Sequence, residues 1–572
     1  MGPKGRYDME HLKAYTRKQD VTPQDEPIPG STQVPNSAGG YAWAVDDWTR
    51  LDRFLVLGSE GGTYYITERE LTMENAHAVE CCIAEDGQRA VRRIVEISES
   101  GRAPKNDPAV FALALCATYG SDDTKKAAFE ALPRVCRTGT HLFHFVEFVD
   151  GLRGWGRGLR QAVAQWYAMP PGKLAYQAIK YQNRDGWGHR DVLRLSHPKP
   201  ATEQHNAIYN WIVKGWEWVG EQPHPDEALR QLWAFERAKR AGSAGEIVHL
   251  ITEYNLPREA VPTHWLNEVA VWEALLRRMP MEAMLRNLAT MTRVGLIAPM
   301  SEATRHVVEQ LGNEERLRAS RLHPIKVLSA LTTYQAGRGV RGKGTWQPVA
   351  QVVDALDGAF YKAFGNVPST GKRWLLALDV SGSMSVPIMG IPGLSARSAS
   401  AAMSLVTAAT EPRHTIVAFS SAGVGAYGGR WGGGDPGMAP VSISPRQRLD
   451  DVVKTLEEIP MGGTDCSLPM RWALKHKVQC DVFVVYTDSE TWYGDIHPAQ
   501  ALKQYRDRMG IPARLVVVAM TSNGFSIADP NDAGMLDVVG FDTATPAVMT
   551  DFVTGGAAPV QATADEPELA EL

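Results

Sequence analysis

The sequence predicts an α-helical repeat domain followed by a doubly wound α/β domain. Apolar residues recur at helical spacing from about residue 40 to 365, whereas short continuous apolar runs alternate with helical stretches after Gly371. The 572 residues exceed the roughly 250–300 that one hydrophobic core supports. With 44% hydrophobic and 22% charged residues, the composition is that of a globular protein and excludes a largely disordered or fibrous chain.

The first domain is predicted from amphipathic stretches that are joined by short turns rich in Gly, Pro and Asn. Apolar residues recur at i, i+3, i+4 and i+7 in Pro108–Ala117, Leu159–Tyr167, Asp226–Lys239, Asn267–Arg278, Met281–Met291 and Pro324–Tyr334. Many short helices connected in this way favour an α-solenoid or a ring of helix pairs. No repeat of fixed period is visible, so the repeat is expected in the structure and not in the sequence.

The second domain is predicted from apolar runs that suit strands buried on both faces of a parallel sheet. These runs are Trp374–Val380, Thr415–Phe419, Val482–Thr487 and Leu515–Met520. Helical stretches lie between or beside them, at Ala396–Ala408, Gln447–Glu458, Leu468–Lys475 and Pro498–Met509. Alternation of strand and helix predicts a doubly wound fold.

Composition predicts flexible segments at both ends of the chain. Residues 1–38 are polar and rich in Pro, Gly and Gln, and residues 556–572 form an acidic tail. The helical domain is therefore placed at 39–371 and the α/β domain at 372–555.

A set of oxygen donors falls at predicted strand ends and in one Gly-rich turn. Asp379, Ser381 and Ser383 follow the first apolar run, and Asp488 follows the third. Thr464 lies in the turn Gly462-Gly463-Thr464-Asp465. The carboxyl edge of an open α/β sheet is where ligands bind, and these hard oxygens suit a divalent ion such as Mg²⁺. The pattern resembles the metal-ion-dependent adhesion site of von Willebrand factor A domains.

The chain has a formal net charge of −5, but residues 151–200 carry nine basic residues against two acids. Arg153, Arg157 and Arg160 are spaced i, i+4 and i+7, which predicts one helical stripe. Two further pairs, Lys180 with Arg184 and Arg190 with Arg194, are spaced i, i+4. Since like charges at that spacing are unfavourable, the pattern indicates an anionic partner; the alternative is a solvated basic face. His197 either contacts that partner or simply ends a helix, and most of the interleaved aromatic residues are expected in the core.

Several other classes of protein are excluded. The six cysteines form no CxxC pair, no run of about 18 apolar residues is present, and the N-terminus has no apolar signal region. The protein is therefore expected to be cytoplasmic and not bound to a membrane. A haloacid-dehalogenase-type phosphatase needs a second Asp where Ser381 stands, and Gly337–Gly344 lacks the hydroxyl of a P-loop. We therefore expect a protein that is not an enzyme.

Four longer stretches resemble the Ro autoantigen family, the TROVE-domain proteins that bind small noncoding Y RNAs. These stretches are GSEGGTYYI (58–66), KYQNRDGWGHRDVLRLSH (180–197), GGTDCSLPM (462–470) and MTSNGFSIADPNDAGMLDVVGFDT (520–543). The resemblance extends from about residue 40 to 555. It implies a ring of HEAT-like helical repeats that is closed by a von Willebrand A domain.

The resemblance also implies a function in noncoding-RNA quality control. By motif match, Lys180, Arg184 and His197 fall on the family's Y RNA contacts, within the same outer basic surface as the arginines noted above. A central hole would accept single-stranded 3′ ends of misfolded noncoding RNA, and a partner would be polynucleotide phosphorylase or another exoribonuclease. The protein would act as a monomeric, noncatalytic scaffold.

For the second domain, the resemblance implies an ion held directly or through water by Asp379, Ser381, Ser383, Thr464 and Asp488. The ion would bind an acidic side chain of a protein ligand. An alternative function follows from this site, namely a metal-dependent protein-binding adhesion module in which the A domain dominates.

Overall fold

A computed structural model describes residues 21–215, 226–339, 344–363, 369–388, 391, 394–421, 435–444 and 447–555. The predicted acidic tail and the first 20 residues of the predicted flexible segment lie outside the described residues.

The first domain is built from α-helices separated by short connections, as predicted. In chain order they are α1 (Asp47–Leu57), α2 (Glu68–Ser100), α3 (Asp107–Tyr119), α4 (Asp122–Val135), α5 (Gly139–Arg153), α6 (Arg157–Trp166), α7 (Pro171–Lys180), α8 (His189–Ser196), α9 (Glu203–Lys214), α10 (Glu227–Ala238), α11 (Ala244–Tyr254), α12 (Val269–Leu276), α13 (Met281–Arg293), α14 (Glu302–Gly312), α15 (Glu314–Ala319), α16 (Pro324–Gln335) and α17 (Ala350–Lys362).

Local sequence accounts for many of these helix ends. The longest helix, α2, begins with a capping box in which Thr67 and Glu70 satisfy each other's backbone N–H groups, and it ends at the left-handed Gly101. Asp86 interrupts it with non-helical backbone angles, so the helix is kinked there. Proline at the first position starts α7 and α16.

Each helix packs mainly on helices close to it in the chain, from α1 on α2 through to α16 on α17. The two ends of the helical domain then meet, because His323, which precedes α16, contacts the backbone carbonyl of Arg102 after α2. The same His323 atom lies 2.7 Å from the Phe541 carbonyl of the α/β domain, so the ring of repeats closes at that domain, as the resemblance implies. This arrangement explains a helical domain larger than one core, since a repeat contacts only its neighbours.

The second domain contains a six-stranded sheet, with strands β5 (Trp374–Asp379), β6 (His414–Phe419), β7 (Met438–Pro440), β8 (Val482–Thr487), β9 (Arg514–Ala519) and β11 (Met535–Val539). Their order in the sheet is β11-β9-β8-β5-β6-β7, in which only the edge strand β7 is antiparallel. The accompanying helices are α18 (Ala396–Thr410), α19 (Leu449–Glu457), α20 (Leu468–Lys475), α21 (Pro498–Met509) and α22 (Thr545–Thr554). The four predicted strands and four predicted helices are confirmed. Two of those helices, α20 and α21, have the predicted bounds.

The two faces of the sheet belong to different cores. Leu376 and Leu378 of β5 belong to the large core that continues into the helical domain. Leu375 and Ala377, on the opposite face, pack in a smaller core with α20 and α21. The continuous apolar runs seen in the sequence reflect this double burial.

Buried polar contacts fasten the helical domain to the sheet. The fully buried Arg53 of α1 donates to the carbonyl oxygens of Asn523 and Phe525 at 2.9 and 2.8 Å and pairs with Asp537 at 2.6 Å. Arg102 pairs with Asp542 at 2.5 Å. These contacts join residues more than 400 positions apart in the chain.

The structure differs from the prediction of a flexible segment over residues 21–38. This part of the chain, with its continuation to residue 40, forms a strap across the α/β domain. Its strand β1 (Val34–Pro35) pairs with β2 (Tyr41–Ala44), which in turn pairs with β10 (Phe525–Ser526). The polar composition suggested flexibility, but the buried polar side chains of the strap, Thr22, Gln24 and Asn36, form hydrogen bonds with the α/β domain.

No helix in the described part of the chain is long and apolar enough to cross a membrane. All six cysteines are free, five of them buried and Cys81 partly exposed.

Candidate functional site

The predicted metal ligands lie at the carboxyl ends of two neighbouring strands, as the sequence indicated. β5 ends at Asp379, and its neighbour β8 ends at Thr487, directly before Asp488. One Asp379 oxygen accepts a hydrogen bond from the backbone N–H of Ser381 at 2.8 Å, and the other accepts from the Thr487 hydroxyl at 2.7 Å. The Ser381 and Ser383 hydroxyls lie 3.1 Å apart. Several side-chain oxygens therefore lie close together at the end of β5.

The Gly-rich turn with Thr464 reaches the same place. The backbone N–H of Gly382 donates to the Gly462 carbonyl at 3.0 Å, which joins the turn to the loop after β5. We call Asp379, Ser381, Ser383, Thr464 and Asp488 the metal edge; none of the five is more than 2% exposed.

Two oxygens of the metal edge are buried without any hydrogen-bond partner among the described residues, namely Thr464 Oγ1 and Asp488 Oδ2. Such groups are rare in proteins because an unpaired buried oxygen loses its hydration without compensation. The described residues contain no group of three or more His, Cys, Asp or Glu side chains placed as metal ligands. The metal edge is a different donor set, two carboxylates with three hydroxyls, which fits a hard divalent cation.

Burial shifts the pKa values of the acid groups at the metal edge upward. Burial, followed by the charges of Asp379 and Glu490, raises the pKa of Asp488 to about 8. Burial also raises the pKa of Asp379. A bound cation would reverse this tendency, since it stabilises the charged carboxylate.

Sequence reasoning missed Gln24, which lies in the strap and holds the loops that flank the metal edge. Its side-chain amide donates to Asp465 Oδ1 and to the Ile496 carbonyl, both at 2.7 Å. The Thr491 hydroxyl donates to the Gln24 side-chain oxygen. Asp465 and Thr491 follow Thr464 and Asp488 closely in the chain, so the strap supports both. No spacing or periodicity in the sequence marks Gln24.

A loop of the helical domain also lies beside the metal edge. Tyr65 has its pKa raised by burial and, further, by the charges of Asp488, Glu490 and Asp379. The loop is anchored where the Ser522 hydroxyl donates to the Gly58 carbonyl at 2.5 Å. This is one of the stretches on which the family resemblance rests, and its position shows that the two domains meet at this edge.

The predicted RNA contacts lie on the surface of the helical domain, between α5 and the residue after α8. Seven of these eight side chains are exposed and Lys180 is half-buried; the exposed ones are Arg153, Arg157, Arg160, Arg184, Arg190, Arg194 and His197. The segment is contiguous in space, because α6 packs on α8 and α5 packs on the hairpin that follows α7.

The predicted helical stripe of Arg153, Arg157 and Arg160 is wrong. α5 ends at Arg153, Gly154 follows with φ of 74°, and α6 begins at Arg157. A positive φ suits glycine and ends the helix, so only Arg157 and Arg160 share one. The Arg153 guanidinium instead donates to the Ala117 carbonyl at 2.5 Å.

The predicted helical pairing of Lys180 with Arg184 is also wrong. Lys180 is the last residue of α7, and Arg184 lies in the hairpin strand β3 (Asn183–Arg184), opposite β4 (Trp187–Gly188). Asp185 and Gly186 form the turn, with φ of 53° and 81°. An Asp-Gly pair with positive φ at both positions is the turn that closes two-residue hairpins. Lys180 packs between the rings of Tyr176 and Tyr181, at 5.3 and 5.4 Å from their centroids.

Other predictions for this segment are confirmed. Arg190 and Arg194 are exposed on the same helix, α8, and Trp166 and Tyr167 are buried in the core. His197 is exposed and follows α8 in the left-handed conformation, with φ of 48°, a position that agrees with either of its two predicted roles.

Comparisons with known proteins agree with both domains. A family model described as the TROVE domain matches residues 34–333, and a model described as the Ro60 vWA domain matches residues 373–553. The chain is 43% identical over 537 residues to "RNA-binding protein RO60" of Deinococcus radiodurans, covering 93% of this chain and 97% of that protein. It is 36% identical over 598 aligned positions to "RNA-binding protein RO60" of Caenorhabditis elegans, covering 91% and 90%.

Among solved structures, the crystal structure of the Deinococcus radiodurans Ro (RSR) protein is similar to this chain. The TM-score is 0.67 and the sequence identity is 42%, covering 89% of this chain and 100% of that chain.

Proposed function

The chain belongs to the Ro60 family of TROVE-domain proteins, and on that premise we propose that it is a noncatalytic scaffold that binds RNA. Its relatives in Deinococcus radiodurans and Caenorhabditis elegans are named RNA-binding proteins. The RNA we propose is a Y RNA on the outer basic surface. Misfolded noncoding RNA would enter a central hole by its single-stranded 3′ end. The protein would work in the cytoplasm in RNA quality control, with polynucleotide phosphorylase or another exoribonuclease as its partner.

The observation that supports this proposal is the lack of carboxylates around four of the exposed arginines. Among the described residues, no acidic side chain lies within 4 Å of Arg157, Arg160, Arg190 or Arg194. Of the two acids of the segment, Asp191 accepts from the Gly188 backbone, whereas Asp185 contacts His144 and lies 3.7 Å from the Arg184 guanidinium. An uncompensated set of exposed cations on one surface is the electrostatic pattern of a nucleic-acid binder.

The chemistry of recognition follows from these groups. Guanidinium and ammonium groups contact phosphates, release counterions and make the affinity depend on salt. RNA helices present shape, phosphates and 2′-hydroxyls more readily than base edges, so recognition relies mainly on shape. The Lys180 ammonium group lies near the Tyr176 and Tyr181 rings and donates to the Tyr176 hydroxyl at 3.2 Å, and these contacts place its charge beside the hairpin.

Filter binding of a structured small RNA over a range of salt concentrations tests the proposal. Arg190→Ala/Arg194→Ala is expected to weaken binding and to reduce the salt slope by about 1 to 2, because up to two phosphate contacts are lost. Arg277→Ala/Arg286→Ala is the matched control, since it removes two exposed arginines that already pair with Glu273 and Glu282 on their own helices. Equal affinities and salt slopes for both double variants would refute RNA binding on this surface.

A second function is favoured by the unpaired oxygens of the metal edge. We propose that Asp379, Ser381, Ser383, Thr464 and Asp488 hold a divalent cation, with Mg²⁺ the best match to these donors. The cation would offer an open position to an acidic side chain of a protein ligand. Thr464 Oγ1 and Asp488 Oδ2, which have no other partner among the described residues, support this assignment.

Isothermal titration with Mg²⁺ tests the metal site in the full chain. We expect binding to the unmodified protein and none to Asp379→Ala, because Asp379 supplies one of the two carboxylates. A chain that shows no binding heat at several temperatures would argue against the cation.

A further inference from the structure

Three large apolar side chains beside the metal edge are open to solvent. Met461 is 56% exposed at the start of the Gly-rich turn, and Trp492 and Tyr493 are 38% and 41% exposed in the loop after Asp488. We call Met461, Trp492 and Tyr493 the apolar shelf. Clustered apolar exposure next to a polar site marks an interaction surface more strongly than single exposed residues do.

The apolar shelf is attached directly to the turn that carries Thr464. The backbone N–H groups of Trp492 and Tyr493 both donate to the Thr464 carbonyl, at 3.1 and 3.0 Å. The Trp492 indole lies against Gly463 so closely that a Cβ at Gly463 would be 3.0 Å from its Cζ2 atom. The two aromatic rings are perpendicular, with centroids 5.4 Å apart. The aromatic pair therefore packs directly against the turn that carries the buried Thr464.

The strap fixes the backbone on both sides of the aromatic pair. On one side, Thr491 bonds through its hydroxyl to Gln24 and through its carbonyl to Asn36 at 2.7 Å. On the other side, the Gly494 carbonyl accepts from the Gln24 backbone N–H at 2.8 Å. Rigid aromatic residues bind with a small loss of conformational entropy, which makes them effective anchors for a partner.

Charge favours a protein over a nucleic acid as the occupant. Four carboxylates, those of Asp379, Asp465, Asp488 and Glu490, are buried at or next to the metal edge. The Arg471 guanidinium approaches Asp465 at 3.7 Å. One divalent cation, together with Arg471 and the buried Arg397, would bring this region close to neutral, so it would offer no net attraction to a chain of phosphates, whereas a single carboxylate could still bind the cation directly.

We propose that the metal edge and the apolar shelf form one docking surface for a protein segment with an acidic residue next to an apolar or aromatic residue. The carboxylate would bind the cation, and the neighbouring side chain would pack on Trp492 and Tyr493. The inference rests on the proposed metal site. It adds the apolar shelf as the feature that distinguishes one acidic segment from another.

An array of blocked heptapeptides tests this proposal. Each peptide has a central Asp and varied neighbours, and the array is probed with the full chain in Mg²⁺. We expect apolar and aromatic neighbours to be preferred, and we expect binding to be lost with EDTA or with Asn in place of the central Asp. Trp492→Ala/Tyr493→Ala should weaken the best peptides by about tenfold or more and remove the preference, since buried aromatic anchors dominate such interfaces. Tyr119→Ala, which removes an aromatic residue 53% exposed on the helical domain, is the control and should change nothing.

The outcomes separate the two proposals. In one outcome, peptide binding needs Mg²⁺ and Asp but shows no preference among neighbouring residues, or the double variant keeps that preference. This outcome refutes the role of the apolar shelf and leaves the metal site unaffected. Binding that ignores both EDTA and Asn overturns the metal site and the shelf inference with it, and so does an array without any bound peptide. A parallel experiment measures the binding of oligouridine. If oligouridine binds in the presence of Mg²⁺ and the double variant does not bind it, the apolar shelf binds nucleic acid and the proposal is refuted.

Discussion

The Nε2 atom of His323 lies 2.7 Å from the carbonyl oxygen of Phe541 and 3.0 Å from that of Arg102. One imidazole thus joins the end of the helical repeats to their beginning and to the α/β domain. Its Nδ1 accepts from the backbone N–H of Ile325 at 3.1 Å, so the hydrogen-bond pattern assigns the hydrogen to Nε2 of a neutral ring. Burial lowers the pKa of His323 to about 3, and the charge of Lys326 acts in the same direction.

The His323 ring is therefore predicted to make the stability of the fold sensitive to acid. The unfolded chain binds a proton at His323 below about pH 6.5, whereas the folded chain resists it down to about pH 3. The stability that the neutral His323 ring contributes is fully present above about pH 6.5. It is lost as the pH falls from about 6.5 to about 3, by up to about 1.4 kcal/mol per pH unit.

Chemical denaturation of the parent protein and His323→Leu at several pH values measures this effect. The variant is expected to be less stable at pH 7 by about 1–3 kcal/mol, because buried carbonyls lose a donor. The difference in the free energy of unfolding between the parent protein and the variant should decrease towards pH 4, since the variant has no imidazole to protonate. A difference in the free energy of unfolding that does not change with pH would contradict the prediction.

Gln24→Leu is expected to destabilise the α/β domain although residue 24 belongs to a segment of polar composition. The substitution keeps the volume but leaves Asp465 and the Ile496 carbonyl without a buried donor, at a cost of about 1–3 kcal/mol each. Thermal unfolding of the full chain measures this loss of stability. Gln33→Leu is the control, because Gln33 is only partly buried and its amide meets the His497 ring, not Asp465 or the Ile496 carbonyl. Equal losses for the two variants would mean that Gln24 has no special role.

Thr464→Val is predicted to separate folding from metal binding. The Thr464 hydroxyl is buried without a partner among the described residues, so a methyl group of similar size should leave stability without metal unchanged within about 1 kcal/mol, or raise it. Affinity for Mg²⁺ should fall by at least about tenfold, and with it the stabilisation that Mg²⁺ confers. Thr487→Val, which breaks a 2.7 Å bond to Asp379, should instead cost stability without metal. A Thr464→Val protein that gains the full Mg²⁺ stabilisation would contradict this assignment.

Gly186→Val is predicted to weaken RNA binding without changing any charge. Gly186 has φ of 81° in the hairpin turn, a conformation that a β-branched residue avoids, so the hairpin that presents Arg184 should distort. We expect affinity for a structured small RNA to fall several-fold in filter binding. Gly242→Val serves as the control, because an added side chain there meets no atom within 4 Å. If both variants bind RNA like the parent, the hairpin does not position an RNA contact.

Local sequence patterns predicted the regular elements well. β5 and β8 are buried on both faces, which requires apolar residues at every position, and such runs are visible without knowledge of their partners. Their ends placed Asp379 and Asp488 at one edge of the sheet, because the carboxyl ends of parallel strands lie together. The helices were visible for a similar reason, since each buries one apolar stripe.

The errors in the basic segment have a local cause that periodicity hides. Gly154 separates Arg153 from Arg157, and the Asp185-Gly186 turn follows Lys180, so residues at helical spacing lie in different elements. Charge spacing predicts a shared face only inside an unbroken helix. The exposure of these side chains was nevertheless predictable, because isolated arginines are rarely buried.

The sequence by itself determined the two fold classes, the exposed basic segment and the donor set of the metal edge, because each depends on residues close together in the chain. Only the tertiary structure decided that Gln24 supports the metal edge from 441 positions away, that Trp492 and Tyr493 remain exposed beside it, and that His323 joins both ends of the helical repeats to the sheet. Hydrogen bonds to a distant backbone carbonyl leave no pattern in the residues that accept them, since every residue carries a carbonyl.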